Sequence, residues 1–166
     1  IASPVVFHAG QAKAAADRGM HILLEKPIAM SIEEGEEVLN YCAQKGVKIA
    51  AGFMMRFGTH VMNMKNLISN GKIGQVVSGY SQFTCWLPED SANWRLCKAK
   101  SGGGALMDMG IHCVDLVEYI SGSRVKQVAA FNDSVALNYD VEDSSTVLLK
   151  MENGAQCVVA SNFNIP

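Results

Sequence analysis

The sequence predicts an α/β protein: the later half of a parallel sheet, followed by an α+β unit with a mainly antiparallel sheet. In the first part, short apolar strands at residues 21–25 and 47–51 alternate with helices, an order typical of parallel sheets with crossover helices. In the second part, an apolar helix at 106–120 precedes strand-like runs joined by Asn153-Gly154, a strong hairpin signal. We therefore expect two domains, at residues 1–51 and 52–166.

The first part contains two predicted helices. Residues 8–18 are rich in alanine, and Gly19 is placed to end that helix. Ser31-Ile32-Glu33-Glu34 has the form of a capping box, which opens a second helix that stops at Gly46. The apolar residues expected on the inward face of this second helix are Ile32, Leu39, Cys42 and Ala43.

The second part begins with a helix near residues 60–70, which Asn70-Gly71 ends. Residues 76–86 alternate loosely and predict a strand, and residues 88–100 form a polar loop. The remaining expected strands lie at residues 125–132, 144–151 and 155–163. A long helix beside consecutive strands is typical of an α+β arrangement.

Composition excludes several classes of protein. With 49% hydrophobic and 18% charged residues the chain can form a core, and a net charge of −2 with scattered cations does not favour nucleic acid or a membrane surface. No apolar run approaches the roughly 18 residues of a membrane span. Five cysteines without a C-x-x-C pair favour reduced thiols in the cytoplasm. Because Ile1-Ala2-Ser3-Pro4 resembles a strand end running into a loop, we expect an internal segment of a longer protein.

The helix at residues 106–120 carries three ionisable side chains on one face. Asp108, His112 and Asp115 are spaced i, i+4 and i+7, within a segment that is apolar almost all round. Such groups are costly to bury unless they are paired, hydrogen-bonded or used in chemistry. A satisfied polar seam is one interpretation. The glycines at residues 102–104, which permit a close approach of backbone or ligand, favour a functional site instead.

Lys26 is the second candidate for chemistry. It lies in Glu25-Lys26-Pro27 at the carboxyl end of a predicted parallel strand, where open α/β sheets bind ligands. A lysine there could polarise a hydroxyl or carbonyl oxygen, or it could simply be solvated. His8, close to Ser3-Pro4 at another strand end, could face a cofactor or lie on the helix surface.

Three further residues could contact a substrate. Arg56 could clamp an anionic or hydroxylated group, or it could pair with a carboxylate. Trp94 and Arg95 could contact a polyol or anchor their loop. Asp108 and His112 also suit a metal, but no third ligand has a suitable local spacing, so we expect no metal site.

Together these segments resemble the glucose–fructose oxidoreductase, inositol dehydrogenase and MocA (Gfo/Idh/MocA) family of NAD(P)-dependent oxidoreductases. Ser3-Pro4 with His8, E-K-P at 25–27, G-F-M-M-R-F at 52–57 and G-G-G-x-L-x-D-x-G-x-H-x-x-D at 102–115 carry the resemblance. It implies part of a Rossmann-type domain, followed by an α+β domain whose open sheet forms a homo-oligomer.

The resemblance also implies residue roles and an activity. Lys26 would be catalytic, His112 the proton acceptor and Asp108 the group that orients substrate or His112. The remaining implied contacts are Arg56, Trp94, Arg95 and Asp115 with substrate, and Ser3, Pro4, His8, Glu25, Lys26 and Pro27 with NAD or NADP. The expected reaction is hydride transfer between the nicotinamide and a sugar, polyol or related secondary alcohol, although this segment alone is expected to be inactive. The alternative is a non-catalytic member of the family that binds a sugar-like ligand or a partner.

We also expect a cis peptide bond at Lys26-Pro27, beside the expected nicotinamide site.

Overall fold

The computed structural model describes residues 1–138 and 140–166. Its first part contains α1 (His8–Ala16), β1 (Ile22–Leu24), α2 (Ile32–Gln44) and β2 (Ile49–Ala51). β1 and β2 pair in parallel, and Ile22 lies opposite Ile49. The helices pack against this pair around a core that includes Ala12, Leu24 and Val38. The predicted parallel α/β arrangement is confirmed.

The N-terminus of α2 has the predicted cap, but the inward face of the helix differs from the prediction. The Ser31 side chain accepts a hydrogen bond from the Glu34 backbone N–H at 3.2 Å. Cys42 is buried as expected, together with Val38. The other three predicted inward residues, Ile32, Leu39 and Ala43, are exposed. The helix is therefore rotated, so that the stripe containing Val38 and Cys42 faces α1.

The second part contains a four-stranded sheet. Its elements are α3 (Thr59–Ser69), β3 (Ser78–Thr84), α4 (Lys98–Ser101), α5 (Ile111–Ser121), β4 (Val125–Asp133), β5 (Ser144–Met151) and β6 (Gln156–Asn162). The strand order is β3-β6-β5-β4. β4–β5 and β5–β6 pair antiparallel as predicted, while β3 runs parallel to β6. The sheet is therefore open and mixed, with two of its three pairings antiparallel.

The hairpin between β5 and β6 turns at Asn153-Gly154, as predicted. Gly154 has a φ of +90°, a conformation that favours glycine, and its N–H donates to the Met151 carbonyl at 3.0 Å. The turn sets the pairing register in which Leu149 lies opposite Cys157.

The predicted helix at 106–120 is present, but its first turns are wider than an α-helix. Leu106–Gly110 is π-helical and continues into α5. Single π-helical turns occur often at functional sites. α5 packs on one face of the sheet, where Cys113 contacts a core that includes Met151 and Val159. Among the described residues, no helix has both the length and the apolar character needed to cross a membrane.

Candidate active site

Lys26 and Asp108 bring the parallel sheet and the π-helical turn together. Lys26 follows β1 in the turn Glu25-Lys26-Pro27, and the Lys26–Pro27 peptide is cis, as expected. Its ammonium group donates to Asp108 Oδ1 at 2.8 Å and to the Asp108 backbone carbonyl. The Lys26 side chain is only 12% exposed. The pair therefore holds a largely buried positive charge at the carboxyl end of a parallel strand.

His112 lies one turn beyond Asp108 and has an orphaned ring nitrogen. The residue is 6% exposed, and its buried Nδ1 has no hydrogen-bond partner within residues 1–138 and 140–166. The ring packs edge-on against Phe53, with ring centroids 6.0 Å apart, and against Phe83 at 6.3 Å. A polar atom that is buried without a partner is costly and calls for a functional explanation.

Two effects lower the pKa of His112. Burial disfavours the charged imidazolium most strongly, and the positive charge of Lys26 lowers the pKa further. Asp108, Asp115 and Glu25 act in the opposite direction without reversing the shift. His112 is therefore neutral at pH 7 and able to accept a proton.

Asp115 lies one turn further along α5 and is paired with Arg56. Arg56 Nε donates to Asp115 Oδ2 at 2.8 Å, and Nη2 donates to Oδ1. The guanidinium also lies over the rings of Phe53 and Tyr119. Both oxygens of Asp115 thus have a protein partner. The structure favours carboxylate pairing, one of the two interpretations of Arg56, over the expected substrate contacts of Arg56 and Asp115.

Trp94 and Arg95 border the Lys26–Asp108 pair on its open side. They belong to a short 3₁₀-helix, Trp94–Leu96, in which the Arg95 guanidinium lies over the Trp94 ring at 4.7 Å. Arg95 Nε is 3.5 Å from Asp108 Oδ2, so Asp108 lies between two cations. All four residues line a narrow crevice of about 10 Å³, roughly the space of one water molecule. The loop position expected for Trp94 and Arg95 therefore places them beside the candidate site.

The structure places His8 neither on the helix surface nor in a position to contact a cofactor through its ring nitrogens, the two possibilities that the sequence suggested. It is fully buried, so it does not lie on the helix surface. Its Nδ1 is 2.8 Å from the Pro27 carbonyl oxygen and its Nε2 is 2.9 Å from the Ser3 carbonyl oxygen. No ring nitrogen of His8 is left to contact a cofactor, and the expected cofactor contact is corrected accordingly. The imidazole instead links two loops that were expected to line the cofactor site.

The other expected cofactor residues lie around these loops. Ser3 and Pro4 are partly buried, and the Ser3 hydroxyl donates to Gln11 at 2.8 Å. Glu25 is exposed and lines a cavity of about 460 Å³ beside Gly52 and Phe53. Because β1 and β2 both end here, this edge of the sheet has the position at which open α/β sheets bind ligands.

Glu142 is a site-supporting residue that the sequence did not reveal. Its carboxylate accepts the backbone N–H groups of Gly104 at 2.8 Å and Leu106 at 3.0 Å, while its carbonyl accepts that of Ala105 at 3.0 Å. A Cβ at Gly104 would lie 1.9 Å from the Glu142 carbonyl oxygen. The close approach that the triple glycine predicted is therefore made by the backbone of Glu142. The glycines were the only local signal, because the carboxylate is 38 residues away.

Asp108, one of the two side chains considered as metal ligands, is paired with two cationic side chains instead. Asp108 contacts Lys26 and Arg95 through its two oxygens. Within the described part of the chain, no cluster of three or more His, Cys, Asp or Glu is placed to hold a metal ion. A protein metal site commonly needs three or four such ligands.

Comparisons with known proteins agree with this architecture. Residues 1–53 match a family model described as "Oxidoreductase family, NAD-binding Rossmann fold", and residues 61–166 match the "GFO/IDH/MocA C-terminal domain". The chain is 35% identical to the uncharacterized oxidoreductase YrbE of Bacillus subtilis, over 96% of this chain and 46% of that protein. It is 32% identical to D-xylose 1-dehydrogenase (NADP(+)) 2 of Haloferax volcanii, over 98% and 49%. The chain thus spans about half the length of these relatives.

Solved structures show the same fold. An aldose–aldose oxidoreductase from Caulobacter crescentus, crystallised with glycerol, superposes with a TM-score of 0.93 at 28% identity, covering 98% of this chain and 49% of that one. GenD2 from gentamicin A biosynthesis, solved with NAD, gives a TM-score of 0.92 at 27% identity, covering 99% and 47%. The Rossmann-type part, the open mixed sheet and the motifs at 25–27 and 102–115 are therefore found in one chain, which belongs to the Gfo/Idh/MocA family of oxidoreductases.

Proposed function

We propose that the protein carrying this chain is an NAD(P)-dependent dehydrogenase or reductase. Its substrate class is a sugar, polyol or related secondary alcohol. The observation that carries the proposal is the juxtaposition of the Lys26–Asp108 pair with a buried, neutral His112 one helical turn from Asp108. The names of similar proteins, including a D-xylose dehydrogenase and a 1,5-anhydro-D-fructose reductase, support this substrate class.

The residues around the sheet edge fit a nicotinamide cofactor. The mostly apolar cavity beside Glu25 and Phe53 suits a flat ring, and the exposed carboxylate of Glu25 borders it. In this proposal Ser3, Pro4, Glu25 and Pro27 hold the cofactor, with Lys26 next to them. When bound, the nicotinamide supplies the hydride acceptor or donor for the reaction.

The protein groups supply positioning and proton transfer. In the direction of alcohol oxidation, His112 accepts the hydroxyl proton, because its imidazole is neutral and lies one helical turn from Asp108, the partner of Lys26. Lys26 donates to the same substrate oxygen and stabilises its developing negative charge. Asp108 holds Lys26 in place, and Arg95 borders the same cleft.

The test is a screen of the whole protein for reduction of NAD and NADP with aldoses, inositols, anhydro sugars and glycosides. We expect turnover with at least one of these alcohols, and none with matched deoxy compounds that lack the reacting hydroxyl. Saturable binding of a sugar and a coenzyme without hydride transfer to any compound would contradict the proposal. That outcome would favour the non-catalytic, ligand-binding alternative.

A further inference from the structure

We propose that His8 is a positioning residue that holds the Lys26-bearing turn in place through the carbonyl of Pro27. The inference rests on the function proposed for Lys26. His8 begins α1 in the first part of the chain, where a 3₁₀-helix, Val5–Phe7, leads into it. Its imidazole is fully buried, although it takes part in none of the ion pairs described at the site.

The imidazole spans the space between two loops. Nδ1 lies 2.8 Å from the Pro27 carbonyl oxygen, and Nε2 lies 2.9 Å from the Ser3 carbonyl oxygen. Both distances are in the range of normal hydrogen bonds. Lys26, the neighbour of Pro27, places its ammonium group on Asp108 at the π-helical turn. One side chain therefore connects the start of α1 to the residue that carries the lysine.

Both neighbours of the ring are hydrogen-bond acceptors. A carbonyl oxygen has no proton to donate, and a neutral imidazole has only one N–H, so it can donate to only one of the two. An imidazolium would donate to both. The contact with Pro27 is buried, whereas the contact with Ser3 is only partly buried. Because a buried acceptor without a donor is costly, the bond to Pro27 is the one that the turn requires.

Loss of this bond should release the turn before it affects the fold. Without a donor, the Pro27 carbonyl would turn towards water, and the adjoining Lys26 backbone would move with it. The Lys26 ammonium would then leave Asp108 for part of the time. A lysine that is 12% exposed would therefore become more reactive towards an amine reagent.

Two amide variants separate the two contacts. The amide nitrogen of His8→Asn reaches the position of Nδ1 and can still donate to Pro27. The amide nitrogen of His8→Gln reaches the position of Nε2 and can donate only to Ser3. His8→Phe keeps most of the ring volume and donates to neither, while thermal unfolding of each variant reports on folding.

The measurement is trace acetylation of the protein with an N-hydroxysuccinimide ester, mapped by mass spectrometry, with exposed Lys48 and Lys126 as internal references. We expect relative labelling of Lys26 to rise roughly 2- to 10-fold in His8→Gln and His8→Phe, the factor that corresponds to one hydrogen bond. His8→Asn should remain close to wild type. If turnover has been established, kcat should fall in the same order of variants.

Equal labelling of Lys26 in the Asn and Gln variants would overturn the proposal, as would wild-type labelling in all three. If His8→Phe does not fold, the Asn and Gln pair still decides the question. The labelling requires no substrate. A wild-type protein without dehydrogenase activity would therefore contradict the proposed function alone, and the labelling result would still decide the role of His8.

Discussion

Lys26 and His112 lie near each other and differ in charge. The carboxylate of Asp108 pairs with the ammonium group of Lys26 at 2.8 Å. Burial of His112 and the charge of Lys26 lower the pKa of the imidazole, so it is neutral near pH 7. The positively charged Lys26 thus lies near a neutral base, and the deprotonation of an alcohol in the proposed reaction would use both groups.

At the residue scale, removal of the lysine charge should raise the pKa of His112. Lys26→Met eliminates the second of the two causes that lower this pKa, while burial remains. Asp108→Asn removes a charge that raises it and should lower the pKa. A proton NMR titration of the histidine ring measures both changes, with Lys48→Met on an exposed surface as control. An unchanged His112 pKa in Lys26→Met would contradict the arrangement described for the cleft.

Because the pKa of His112 is lowered, both the stability of the fold and the rate of oxidation should depend on pH. The pKa of His112 is lower in the folded protein than in the unfolded chain, so the unfolded chain binds more protons below about pH 6.5. The contribution of His112 to stability is therefore complete at higher pH and is lost as the pH falls. Oxidation should likewise slow as His112 becomes protonated.

Sequence reasoning found the residue types of the site more readily than their contacts. The i, i+4 spacing placed Asp108 and His112 on one helix face without any structural information. The choice between pairing and substrate contact for Arg56 depended on Asp115, which is 59 residues away. The burial of His8 depended on the carbonyls of Ser3 and Pro27. Such contacts are set by tertiary packing, which local spacing does not encode.

At the scale of elements, local sequence signals predicted the helix cap and the hairpin turn. They did not predict which face of α2 is covered or which strand pairs with β3. Ser31 caps α2, and Asn153-Gly154 forms the β5–β6 hairpin, because both motifs act through neighbouring backbone groups. Of the residues predicted to face inward from α2, Cys42 is buried, but Ile32, Leu39 and Ala43 are exposed, since the position of α1 determines which apolar residues are covered. The parallel pairing of β3 with β6 joins strands that are distant in sequence, and no local pattern specifies it.

The open face of the four-stranded sheet is a candidate interface between copies of the protein. Tyr80, Val158, Leu148 and Ala129 lie in register across the four strands, on the face opposite α5. Tyr80 and Leu148 are 65% and 53% exposed, and Phe131 on the same face is 78% exposed. Contiguous exposed apolar side chains of this kind mark interaction surfaces. We propose that two copies of the protein associate through this face.

Leu148→Glu should weaken that association. A charge on the shared face must be buried in the oligomer, and in a symmetric pair it occurs twice. We expect sedimentation to show a shift to monomer, with a dissociation constant raised at least about tenfold, equivalent to 1.4 kcal/mol. Leu67→Glu makes the same substitution at similar exposure, 48%, on α3 and should have no effect. An equal response of the two variants would exclude the sheet face as the interface.

At the scale of the whole molecule, the Lys26–Asp108 ion pair connects the two parts of the chain, because it joins the turn after β1 to the π-helical segment. The Arg56–Asp115 ion pair lies within residues 52–166 and joins the segment after β2 to α5. Phe53 adds an aromatic contact with His112. The division into domains 1–51 and 52–166 stays a prediction. In the proposed function, the alcohol reacts at the crevice between these parts, beside Lys26 and Asp108.

The turnover number of His112→Asn in the whole protein tests this claim most directly. The variant keeps a polar side chain of smaller volume and removes the titrating ring, so we expect kcat to fall by about 10²–10⁴, the usual contribution of a positioned acid–base group. The dissociation constant for NAD(P) should remain close to wild type, and His60→Asn on the exposed surface of α3 should retain full turnover. A His112→Asn protein with wild-type kcat would contradict the account and leave the helix face as a structural polar seam.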